Sequence, residues 1–328
     1  MTKFIRFWLV VIFFIITADL HSEAQQQVKS PARIGWLWYG SAPATLPSIE
    51  TAIVDGLREL GYVEGKTHVF EHRFAEGRPE KLPELAAALA QQKVDVLIGV
   101  GGDIAAALKK AAPTIPIVVG TSDDPVRASL ISSLARPGGN VTGVSFVMDE
   151  VAGKRVQLLK EINPKLSSAG VLWNPAHADN ELKEIQIAAE EFHVKLRLFK
   201  VERMDEFDNA FSAMNKETFD ALIVIPSRLT SLRRAQIAGL ALKSRIPMAS
   251  GWREFSEAGG LLSYGPNRAQ VARRIAYYID KVLKGAKPAD LPVETPTKFE
   301  FVINLKTAQQ IGLTIPQSVL YRADSVIK

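Results

Sequence analysis

The residues that offer chemistry stand in small polar loops, each following an apolar run. Tyr39-Gly40-Ser41, Gly101-Gly102-Asp103 and Thr121-Ser122-Asp123-Asp124 lie in the first half of the chain. Trp173-Asn174, Pro226-Ser227-Arg228, Ser250-Gly251-Trp252-Arg253 and Tyr264 lie in the second. Glycine in such a loop lets backbone N–H groups approach a ligand, and the helix that follows offers its N-terminus to an anionic group. Asp103 and Asp124 are at least as well suited to capping those helices. The chemistry available is therefore recognition of a small polar molecule by hydroxyls, carboxylates, a guanidinium and aromatic faces.

Reaction chemistry is not evident. "GVGGDI" (99–104) begins like a dinucleotide loop, but the third glycine of G-x-G-x-x-G falls on Ile104. No acidic partner follows a clear second strand at suitable range, and there is no G-x-S-x-G elbow. His68 and His72, four apart on one strand face, make at most a weak metal pair, and His177 and His193 flank a helix. Without cysteine, disulfides and thiolate metal sites are excluded. No nucleophile–base pair or carboxylate dyad presents itself, so no catalysis, metal or cofactor is expected.

The elements that must hold these loops alternate between strand and helix from Arg33 onward. "RIGWLWYG" (33–40), "THVFEHRFA" (67–75), "VDVLIGVGG" (94–102) and "IPIVVGTSDDP" (115–125) read as strands, with helices at 47–62, 78–93 and 103–111 between them. "SSLARPGGNVTGVSF" (132–146) then interrupts the series with a dense turn signal at Pro137 to Asn140. The same alternation starts afresh after it. Strands "SAGVLWNP" (168–175), "KLRLFKV" (195–201), "DALIVIPS" (220–227), "IPMASG" (246–251) and "GLLSYG" (260–265) are separated by helices at 149–162, 179–193, 205–216, 229–244 and around 252–259. A helix at 267–285, a proline-rich stretch, strand "KFEFVIN" (298–304) and a short helix at 305–313 complete the pattern.

This alternation predicts an α/β fold: two Rossmann-like lobes with parallel sheets covered by helices on both faces. Ligands of such sheets sit beyond the carboxyl ends of the strands, where the polar loops are. Crossings between lobes fall near 140–146, 262–265 and 297–304, a multi-strand hinge in which a few residues absorb backbone rotation. Gly143, inside a strand, fits a hinge and equally an ordinary bulge.

Bulk properties agree with two globular cores. The chain has 328 residues, 47% of them hydrophobic, and a net charge of +5 with no basic block. No basic stripe with interleaved aromatics appears, so nucleic acid is not an expected partner. Lys3 and Arg6 precede an apolar run from Phe7 to Ile16, and Ser22-Glu23-Ala24 supplies small residues at −3 and −1 of a cut after Ala24. This is the layout of a secretory signal peptide over 1–24, and the run is short for a membrane span. With no cysteine for lipid attachment, the expectation is a periplasmic protein that is not lipid-anchored.

Several segments also look familiar: "GLRELGYVEGK", "DPV", "LARPGGNVTGVS", "VLWNPA", "REFSEAGGLLSYGP" and "LKGAKPADLPVETPTKFEFVINLKTAQQIGLTIP". Together they resemble the periplasmic substrate-binding proteins of ABC transporters, of the tryptophan- and phenylalanine-binding-like family, across essentially all of the mature chain. The resemblance implies a type I periplasmic-binding fold that closes on a small solute, with amino acids as ligands of known relatives. It places lobe one at 31–144 plus 265–297, and lobe two at 145–264 plus 298–328. The implied partners are a small-molecule ligand and an inner-membrane ABC permease, for a protein that acts as a monomer. A ligand-sensing module read by a membrane receptor is the alternative.

The chain departs from that family in its loops. Many relatives carry Thr-Pro where this chain has Gly102-Asp103, and Asp-Pro where it has Ser227-Arg228. An α-amino acid needs a partner for each of its charges. Arg228 can take the carboxylate by bidentate hydrogen bonds, and Asp103 or Asp124 the ammonium from the opposite lobe. Trp252, Tyr264 or Tyr39 would pack the side chain. The expected ligand-binding set is Tyr39, Ser41, Gly102, Asp103, Ser122, Asp124, Asn174, Ser227, Arg228, Trp252 and Tyr264.

Overall fold

A computed structural model of the chain describes residues 30–42, 48–146, 148–177 and 180–328. The expected signal segment, 1–24, lies outside the described residues. Among those described, no helix is long and apolar enough to cross a membrane.

The first half runs β1 (Ala32–Trp38), α1 (Ser48–Glu59), β2 (His68–Phe74), α2 (Leu82–Gln91), β3 (Val96–Val100), α3 (Gly102–Ala111), β4 (Ile117–Thr121) and β5 (Val141–Ser145). The second runs α4 (Ala152–Ile162), β6 (Ser168–Trp173), α5 (Glu181–Glu191), β7 (Lys195–Lys200), α6 (Phe207–Met214), β8 (Ala221–Val224), α7 (Arg228–Leu232), α8 (Arg234–Lys243), β9 (Met248–Ser250), α9 (Arg253–Glu257) and β10 (Leu262–Pro266). Then follow α10 (Arg268–Leu283), β11 (Phe299–Asn304), α11 (Leu305–Ile311), α12 (Gln317–Leu320) and β12 (Ser325–Ile327).

Two sheets result. The first has order β2-β1-β3-β4-β5, and all its pairings are parallel. The second has order β12-β11-β10-β9-β8-β6-β7, parallel except between β10 and β11. Inner strands such as IVVGT and ALIV are buried at every residue because helices cover both faces, which is why they read as unbroken apolar runs. α2 and α3 pack through Leu89, Ile104 and Leu108 on one face of the first sheet. Ile53 of α1 and Ile275 of α10 pack on the other. Edge strand β7, KLRLFK, is largely exposed and carries Lys195, Arg197 and Lys200, charges that discourage pairing with another chain.

Two features depart from the sequence expectations. The helix predicted at 229–244 is broken at Arg233 into α7 and α8. The three residues of β12, too short a run for a pattern to reveal, extend the second sheet beside β11.

The chain passes between the sheets three times: between β5 and α4, at Asn267 between β10 and α10, and over 295–298 before β11. Between the last two, α10 returns to pack on α1, β4 and β5, and Glu294 bridges Val144 of β5. Gly143 has a φ of 139°, and a Cβ there would lie 2.0 Å from the Val119 carbonyl oxygen. Glycine is thus required by the close approach of β5 to β4.

At the opposite edge of the first sheet, β1 and β2 stack aromatic rings: Trp36 on Trp38 at 4.6 Å and Phe70 on His72 at 5.5 Å between centroids. The Trp38 indole N–H donates to His72 Nδ1 at 2.9 Å, so that nitrogen must carry no proton. Burial lowers the pKa of both His68 and His72, opposed by Glu64 and, for His72, Glu71. The unfolded histidines, with pKa near 6.5, therefore bind protons that the folded ones refuse. Stability should be complete above about pH 7.5 and fall as the pH drops through the unfolded pKa towards the lower folded one. Thermal melts of a His72→Gln variant, which keeps an acceptor for Trp38, should show a shallower loss between about pH 7 and 5. A slope equal to that of the unaltered protein would contradict this origin.

Candidate functional site

The loops at the carboxyl ends of the two sheets face one another across a cavity of about 240 Å³. From the first sheet, the loops after β3 and β4 contribute Gly101, Gly102, Asp103, Ser122 and Asp123. From the second, the loops after β6, β8 and β9 contribute His177, Ser227, Arg228 and Trp252. Phe146, Met148 and Arg268, beside the crossings, complete the wall.

Arg228 spans the gap. Ser227 caps α7 through a reciprocal pair of hydrogen bonds with Thr230, which places Arg228 at the first helical position. Its Nη1 and Nη2 donate to the two carboxylate oxygens of Asp103, each at 2.7 Å, and Nη2 also donates to the Val100 carbonyl at 3.1 Å. The guanidinium lies over the Tyr39 ring, 4.3 Å from its centroid, a cation–π contact. The two residues expected to grip opposite ends of a ligand thus grip each other. Burial raises the Asp103 carboxyl, but the hydrogen bonds and charge of Arg228, with the Ile104 N–H, outweigh it and hold the group below the usual range. Burial also raises the Tyr39 phenol, against the pull of Arg228.

Two missing side chains leave room beside this contact. A Cβ on Gly101 would lie 1.9 Å from Arg228 Nη2, and one on Gly102 would lie 1.9 Å from Asp123 Oδ2. Gly101 also has φ 126° and ψ 145°, a region that residues with a Cβ rarely adopt. The glycines that look like a phosphate loop in sequence make room for a guanidinium and a carboxylate.

Of the other expected residues, Ser122, Ser227 and Trp252 line the cavity with Gly102, Asp103 and Arg228. Ser122 Oγ is 3.4 Å from His177 Nε2 across the gap. Tyr39 stands behind Arg228, and Ser41 is exposed. Asp124 is exposed and its carboxylate caps a turn, accepting from the Val126 and Arg127 N–H groups at 2.8 and 3.1 Å. Its neighbour Asp123 lines the cavity instead. Asn174 likewise serves its own loop, accepting from the Ala176 N–H at 2.9 Å. Tyr264 packs on Phe299 at 6.1 Å, and its carbonyl accepts from Arg155 Nε at 3.1 Å.

Sequence reasoning missed Asp123, Phe146, Met148, His177, Glu181 and Arg268 in the wall. Phe146 meets Trp252 edge-on at 5.7 Å. Glu181, the first residue of α5, receives Arg155 Nη1, and both side chains are fully buried. No signal in the sequence links Arg155 to Glu181. For Asp123 the Thr121-Ser122-Asp123-Asp124 loop was the right place, and only the choice between adjacent carboxylates needed the structure.

Residues 41–327 match the family described as ABC transporter substrate binding protein. A tyrosine-binding protein of Clostridioides difficile (strain R20291) is 24% identical over 275 residues, covering 81% of this chain and 78% of that protein. A conserved domain protein of Vibrio cholerae superposes with a TM-score of 0.82 at 30% identity, over 90% of this chain and 100% of the other. An ABC domain in complex with L-Trp from Streptococcus pneumonia gives 0.81 at 30% identity, over 91% and 100%.

Replacing Gly101 by Ala should cost on the order of 1–3 kcal/mol, the usual expense of a strained backbone, and displace Arg228 from Asp103. Gly40→Ala is the control, since nothing lies within 4 Å of a Cβ at that position. Denaturant melts should show a lower midpoint for Gly101→Ala alone; equal midpoints would refute the fit.

Proposed function

This chain belongs to the ABC transporter substrate binding protein family, and from that premise we propose that it captures an amino acid outside the cytoplasmic membrane and delivers it to an ABC permease. It does so as a carrier that catalyses nothing. The lobes expected at 31–144 with 265–297 and 145–264 with 298–328 shift by a residue or two to the three crossings, since Ser145 pairs in the first sheet and Gly265 and Pro266 in the second, and they close about those crossings.

The observation that carries this reading is the composition of the cavity wall: strand-end loops of both sheets and residues beside the crossings surround one space. A solute there touches both lobes at once, so it binds the closed arrangement better than the open one and shifts the population towards it. At about 240 Å³ the space is smaller than the roughly 300–1,000 Å³ typical of drug-sized ligands, which suits a single small metabolite. Its wall is divided. Phe146, Met148 and Trp252 offer apolar and aromatic surface, while Ser122, Asp123 and Ser227 offer hydrogen-bonding groups. An amino acid with an apolar or aromatic side chain matches that division, and Asp123 is the carboxylate for its ammonium. Relatives named for tyrosine binding and solved with L-Trp support the same class.

A thermal-shift screen of protein stripped by unfolding and refolding tests the reading, with amino acids, nucleosides and sugars in the panel. An amino acid at 100 times its dissociation constant should add about 2.7 kcal/mol of stability, and Trp252→Ala should weaken it at least tenfold. A shift with a sugar or nucleoside and none with any amino acid would retire the amino-acid ligand.

A further inference from the structure

Three arginines stand in or behind the cavity wall, and their hydrogen-bonding donors are not equally occupied. Arg228 places Nη1 and Nη2 on Asp103 and shares Nη2 with the Val100 carbonyl. Arg155, fully buried, places Nη1 on Glu181 and Nε on the Tyr264 carbonyl. Arg268 lines the cavity and makes one hydrogen bond among the described residues, from Nη1 to Glu254 Oε1 at 3.2 Å. Its Nε–H is buried with no hydrogen-bond partner among the described residues.

A buried guanidinium donor without an acceptor is costly, and native structures rarely leave one so. The guanidinium is nonetheless held in a defined place. It lies over the Trp252 ring, 4.9 Å from the centroid. It also begins α10, whose N-cap Asn267 accepts from the Gln270 N–H at 3.0 Å. Nε and Nη2 form one edge of the planar fork, and a carboxylate meets such an edge with two parallel hydrogen bonds.

We infer that Arg268 takes the carboxylate of the bound solute on its Nε and Nη2 edge, with Trp252 fixing the plane of the fork. This rests on the amino-acid reading above and moves the anion partner from Arg228, whose Nη1–Nη2 edge is taken by Asp103. It makes the free carboxylate the recognised group: an amino acid binds, whereas its amide, lacking the negative charge, and its decarboxylated amine, lacking the group altogether, do not.

Calorimetry on the unaltered protein, Arg268→Gln and Arg268→Lys tests this. The probes are the L-amino acid giving the largest thermal shift in a panel of all the common ones, its amide and its decarboxylated amine. The unaltered protein should prefer the acid to the amide by on the order of 30-fold or more, the expense of an unmatched buried charge pair. Arg268→Gln should bring acid and amide within about 3-fold by weakening the acid alone, and Arg268→Lys should restore part of the preference, as a point charge does. A merely structural role would weaken acid and amide together. An acid preference that survives in Arg268→Gln overturns the inference and leaves the amino-acid reading standing. Should Arg268→Gln not fold, undiminished acid affinity in Arg268→Lys overturns it equally. If no amino acid binds the unaltered protein, both fall.

Discussion

Arg228 crosses the cleft because the residue it lies against has no side chain. With any Cβ at Gly101, the guanidinium would lose the space it occupies, and with it Asp103, the Val100 carbonyl and the Tyr39 ring. The contact joins the loop after β3 to the loop after β8 beside the cavity that both line. The pair is not buried, with side chains 34% and 41% exposed, and pairs in that regime contribute about 1 kcal/mol or less. A contact of this strength is one that thermal motion can undo, which suits the opening and closing proposed above.

Arg155 and Glu181 make the opposite kind of pair. Neither side chain has exposed surface, so removing one partner would strand a buried charge, at about 3–5 kcal/mol. Through Arg155 Nε the pair also holds the carbonyl of Tyr264 in β10, tying the first turn of α5 to the strand that leads into a crossing. Arg268 and Glu254 fall between the two, at 24% and 21% exposed. Burial thus sorts three arginine–carboxylate pairs: Arg155–Glu181 lies within the second sheet's unit, Arg228–Asp103 joins loops of the two sheets, and Arg268–Glu254 leaves donor capacity beside the cavity.

The sequence declared the fold where the chain obeys local rules. Apolar runs such as VLIGV and ALIV became inner parallel strands, and the second series begins only after β5, which follows the Pro137 to Asn140 turn and still pairs in the first sheet. The loops of the site were legible for the same reason, because parallel strands put their carboxyl ends on one side. Their individual residues were legible only when the role was not local. Asp124 and Asn174 have the chemistry of ligand contacts but satisfy backbone N–H groups two or three residues away, as short polar side chains commonly do. Asp103 and Arg228 were both picked out, but their pairing joins positions 125 residues apart, and no local pattern encodes it. Arg268 escaped because it opens a long amphipathic helix, where an arginine reads as solvated surface.

Gly143 attracted attention as a hinge, yet its glycine is explained by contact with Val119 and its strand is paired along its whole length with β4. Rotation is better accommodated where pairing stops. Asn267 is such a place, a single residue between β10 and α10. Its side chain caps α10, which packs on the first sheet, while Pro266 is paired with Phe299 in the second sheet. The next residue is Arg268. Any opening about this crossing would slide its guanidinium off Trp252 and away from Glu254, since Trp252 is the N-cap of α9 and Glu254 lies within it, and α9 follows β9 of the second sheet. A carboxylate seated on Arg268 and packed against the second lobe would oppose that slide. The solute would then restrain the crossing itself as well as bridging the jaws. One residue would serve as both the grip on the ligand and the reason the cleft stays shut around it.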